Sequence, residues 1–102
     1  MSESILRHPR AYGAHSPEQL ASYVRNASHV DDLEHRVGEL EETLDAMEPE
    51  IAAAEREGDN ELVSVLCESY CRLNRERIRL QRQSLRTQLK MLEFESAAAK
   101  DE

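Results

Sequence analysis

Tryptophan is missing from this 102-residue chain, phenylalanine occurs once, and aromatics reach only 4%. A chain this short, with so few large rings, can enclose little core, which disfavours a large catalytic domain. No apolar run approaches the ~20 residues a spanning helix needs, so a membrane protein is not expected. The three glycines, at positions 13, 38 and 58, are scattered and form no phosphate-binding loop. Two cysteines are too few for a disulfide framework, and one helical turn apart they are badly placed to bond each other. The first ten residues hold only Ile5 and Leu6 as adjacent apolar groups. They lack the apolar stretch of a secretory signal, and the expectation is a reduced, cytoplasmic chain.

Charge is plentiful, at 33% of residues, with twenty-one acids against thirteen bases and a formal net charge of -8. Its distribution says more than its total. Residues 31–61 hold thirteen acids and two arginines, a net of -11, whereas residues 62–92 hold two acids and seven bases, a net of +5.

The chain divides by pattern. Residues 1–15 show no sustained period and read as a flexible leader. Residues 16–100 read as a single helical domain. Ser16 before Pro17 is an N-cap signal, and Leu20, Tyr23, Val24 and Ala27 share one face of a short helix over about 17–27. Ser28 with Asp31 three residues later resembles a second cap and predicts a bend near residues 26–29. From there Val30, Leu33, Val37, Leu40, Leu44, Met47, Ile51 and Ala54 alternate by three and four, the seam of a coiled coil, over a helix of about 29–57. Pro49, outside the seam, is expected to kink it. Gly58-Asp59-Asn60 should end it in a tight reversal.

A third helix, about 61–99, carries apolar residues on two lines. Leu62, Leu66, Tyr70, Leu73, Leu80, Met91 and Phe94 lie along one, interrupted by Arg77, Gln81, Ser84 and Gln88. Cys67, Cys71, Ile78, Leu85, Leu89 and Leu92 lie along the other, roughly 110° away. The predicted fold is therefore all-α: an antiparallel, coiled-coil-like hairpin of long helices with a short N-terminal helix. Self-association or a partner would complete it to a bundle, because one seam cannot cover both lines. The second line is the expected interface.

An antiparallel hairpin sets Arg75 and Arg79 abreast of Thr43 and Glu39, so arginines flanking the seam can pair with acids across it. In competition with that role, Arg72, Arg75, Arg79, Arg82, Arg86 and Lys90 recur by three and four as a charged recognition stripe. The stripe has no interleaved aromatics and the chain is acidic overall, so nucleic acid is disfavoured as a partner.

Chemistry is poorly represented. Cys67 and Cys71 share a face, but no further ligands stand at a zinc-site spacing, and small residues in a helix interface explain them better. His29 and His35, six apart, occupy different faces. No catalytic, cofactor-binding or metal-ligating residue is assigned, and a non-enzymatic protein is expected. The function that best fits is protein–protein interaction by helix packing, as in small adaptors, chaperones and assembly factors, with a homodimer or a hetero-complex as the product. The alternative is an acidic mimic of a nucleic-acid backbone that inhibits a nucleic-acid-processing enzyme.

Overall fold

The computed structural model describes residues 16–100, with side chains to Ala97. The expected leader, residues 1–15, lies outside the described residues. Two long helices pack against each other: α1, Pro17–Arg56, and α2, Asn60–Lys100.

Helix α1 begins at a reciprocal capping box. The Gln19 amide donates to Ser16 Oγ at 3.1 Å, and the Ser16 amide donates to Gln19 Oε1 at 2.8 Å. Two amides left without partners by the helix geometry are thereby satisfied. Ser16 is the cap the sequence marks, and Gln19 is its reciprocal partner.

The expected bend at residues 26–29, and with it a separate short helix over 17–27, is corrected: α1 is continuous through this stretch. No glycine or proline interrupts it there. The inward positions Tyr23, Asn26, Val30 and Leu33 also keep the three-four alternation, so the seam crosses residue 28 without losing phase. Ser28 is exposed, and the local cap signal loses to a continuous inward face. Helix α1 also continues through Pro49, which is exposed.

The reversal is a Schellman motif. Gly58 takes φ +71°, its amide donates to the Glu55 carbonyl at 3.1 Å, and the Asp59 amide donates to the Ala54 carbonyl at 3.0 Å. A left-handed residue at this place favours glycine, which has no Cβ to clash. Asp59 then caps the next helix, its Oδ1 accepting from the Leu62 amide at 3.1 Å.

The residues group into two compact units. One, Leu33–Arg82, contains the reversal; the other joins the described residues up to Asp32 with those from Gln83 onward. In the first unit Leu33, Val37, Leu40 and Leu80 form the core cluster, with Leu73 packed against it, and Leu44, Met47 and Ala54 are also buried. In the second, Val30 is buried with Ser84 and Thr87. Tyr23 stacks on Phe94 with ring centroids 4.4 Å apart and an interplanar angle of 24°.

Candidate functional site

The heptad read from α1 is inward as expected, with every member buried except Ile51, which is half-buried. Helix α2 has an equally regular seam that its composition disguises. Leu66, Tyr70, Leu73, Arg77, Leu80, Ser84, Thr87, Met91 and Phe94 are each three or four residues apart, and each is buried or half-buried. Arg77, Ser84 and Thr87 are polar members of this seam. The three-four spacing was the signal, hidden because these positions do not read as apolar.

Their polar atoms are satisfied locally. Thr87 Oγ1 donates to the Gln83 carbonyl at 2.9 Å, and Gln88 Nε2 donates to Ser84 Oγ at 3.0 Å. Arg77, with its side chain 24% exposed, donates from Nη2 to Asn74 Oδ1 at 2.8 Å and from Nη1 to Gln81 Oε1 at 3.0 Å. Its Nη1 also lies 4.0 Å from Glu41 Oε2 on α1. The expected pairing of flanking arginines across the seam is thus corrected. Register places 77 opposite 41 as it would place 75 opposite 43, but the arginine that reaches across stands within the seam. Arg79 turns to its own helix, donating from Nε to Glu76 Oε1 at 2.7 Å.

Arg72, Arg75, Arg79 and Arg82 in the first unit, and Arg86 and Lys90 in the second, are all exposed. The second apolar line divides by exposure. In the first unit Cys67 and Cys71 are free, exposed thiols beside Ile51 and Ala52 in a groove of about 310 Å³, and Ile78 is half-buried. Among the described residues no group of three or more His, Cys, Asp or Glu side chains is placed to hold a metal ion. In the second unit Leu85, Leu89 and Leu92 are 59%, 58% and 58% exposed, whereas Ser84 and Thr87 are 4% and 8% exposed. Here α2 turns its small polar residues inward and its leucines out. Leu62 and Val65 near the reversal are exposed as well, but two such residues are ordinary on a protein surface.

One further cross-helix contact closes the second unit. Tyr23 OH donates to Glu95 Oε2 at 2.7 Å. Burial, then this bond, then the carboxylate's charge push the Tyr23 phenol up to about 12, because each disfavours the phenolate.

No described helix is long and apolar enough to cross a membrane. Compared with family models, curated proteins and solved structures, the chain finds no match in any of the three.

Proposed function

We propose that the protein is a non-enzymatic interaction module that works by helix-on-helix packing through Leu85, Leu89 and Leu92 of α2. The observation that carries this reading is the inversion in the second unit: leucines more than half exposed beside buried Ser84 and Thr87. Spaced i, i+4 and i+7, the leucines form one line, the spacing an incoming helix reads. Water around three adjacent leucines is unfavourable, and covering them with another apolar helix face supplies the driving force. Arg86, Lys90 and Glu93 are exposed on the same stretch and give that face a charged border. Charged borders select among partners more than they strengthen binding.

Retention on immobilised protein tests the reading, comparing the parent with a Leu85→Asp/Leu89→Asp variant whose helicity is verified by circular dichroism. The parent should retain chains, its own included or others, that the variant does not. Equal retention by both, or retention by neither, would overturn it.

A second reading, a nucleic-acid mimic, is favoured by the exposed Glu41, Glu42 and Asp45 of α1. It requires that neutralising these three abolishes inhibition of a nucleic-acid enzyme while the leucine variant still inhibits.

A further inference from the structure

We infer that the occupant of the leucine line is a second copy of this chain, packed antiparallel about a two-fold axis that passes beside Leu89. The inference rests on the interaction reading above and names the partner. It follows from where the charges stand relative to the leucines. At 100° per residue, Leu85, Leu89 and Leu92 fall within about 60° of one another. Arg86 and Glu93 then lie on the same flank of that line, away from α1, and both are exposed. On the other flank stand Gln88 and Glu95, the latter bonded to Tyr23.

When two identical helices pack antiparallel, each flank meets its own equivalent, read in the opposite direction. Centring the contact on Leu89 sets Leu89 against Leu89 and brings Leu85 to within one residue, about 1.5 Å along the axis, of Leu92. The same register sets Arg86 beside the second copy's Glu93, and symmetry repeats that pair. One register therefore matches apolar to apolar and base to acid. A parallel pair meets flank to opposite flank, where Gln88 and Glu95 stand, and offers Glu93 no cation. Helix α1 cannot supply the matching face from a second copy, because its heptad apolar residues are taken up in its own seam. The contact is self-complementary, as a two-fold interface must be. With three leucines a side it belongs to the small, reversible class.

Single-cysteine variants test the register, made in the full chain with Cys67→Ser and Cys71→Ser and joined by a short bis-maleimide. Leu89→Cys should cross-link to itself. Leu85→Cys mixed with Leu92→Cys should give the mixed product, while Leu85→Cys alone should not cross-link, since its two copies sit about 12 Å apart along the axis. Sedimentation equilibrium supplies the charge test: Arg86→Glu should weaken dimerisation by about tenfold, and adding Glu93→Arg should restore it. Equal self-cross-linking at 85, 89 and 92 would mean a parallel pair and would overturn the proposal. So would a single-chain mass at about 100 µM, which would put the dissociation constant well above that value. Leucine-dependent retention of a different chain alongside that mass would leave the interaction reading standing and remove only this one.

Discussion

Buried Ser84 and Thr87, with half-buried Arg77, show how a helix seam can be polar and still closed. Each finds its hydrogen bonds on its own helix, so no buried side-chain oxygen or nitrogen among the described residues lacks a partner. Polar members of a seam weaken packing but restrict register, because sliding the helices would strip Arg77 of its place opposite Glu41. The apolar members supply the stability. Leu44, 4% exposed, is the clearest: Leu44→Ala should lower unfolding free energy by about 2–5 kcal/mol in urea titration, as buried leucines do. Glu41→Gln should cost less than about 1 kcal/mol, since its partner is distant and its carboxylate largely solvated. Tyr23 offers a pH test. Its phenol is raised from 10.0 to about 12 in the folded chain, so the folded state holds the proton more tightly than the unfolded one. The resulting stabilisation is complete below pH 10 and is lost as pH rises from 10 towards 12. Absorbance at 295 nm should show a tyrosine titrating near 12 that Tyr23→Phe removes. A Tyr23→Phe variant with an unchanged titration curve would place the raised phenol elsewhere.

The two described glycines set opposite demands on the helices. A Cβ added at either would meet nothing within 4 Å, so space does not distinguish them. Backbone conformation does. Gly38 sits inside α1, where glycine costs conformational entropy, so Gly38→Ala should stabilise by roughly 0.5–1 kcal/mol. Gly58 holds a positive φ that an alanine resists, so Gly58→Ala should destabilise by about 1–2 kcal/mol. Shifts of the same sign in the urea midpoint would contradict this account of the reversal. The same elements differ in how openly the sequence declares them. The seam of α1 was legible from Val30 to Ala54 because all its members are apolar, and the reversal because Gly58 and Asp59 are specialised for it. The seam of α2 was only half legible, since Arg77, Ser84 and Thr87 break its composition but not its spacing. The bend at Ser28 was a local cap signal overruled by the long-range phase from Tyr23 to Leu33. As for the candidate surface, the exposure of the arginines followed from their distance around α2 from Leu66 and Leu73. That the second apolar line would be half-buried at Ile78 but open at Leu85 was not legible, because it depends on how the two helices lie against each other.

In the whole molecule, apolar residues fall into those buried in the seam between α1 and α2 and those left exposed on α2. The inward seam closes within one chain, and the dimer proposed above assigns the exposed leucines to a second copy. Mass action separates these roles, because anything that binds only the folded state makes the melting temperature depend on concentration. The most direct measurement is therefore the melting temperature against chain concentration for three proteins: the parent, Leu44→Ala, and Leu85→Asp/Leu89→Asp. The parent's melting temperature should rise with concentration, and Leu44→Ala should be displaced downward at every concentration while keeping that rise. The Leu85→Asp/Leu89→Asp variant should melt at one temperature throughout, matching the parent's dilute limit. A parent whose melting temperature does not change with concentration, with the leucine variant lowered as far as Leu44→Ala, would contradict the account, because Leu85 and Leu89 would then belong to the chain's own core.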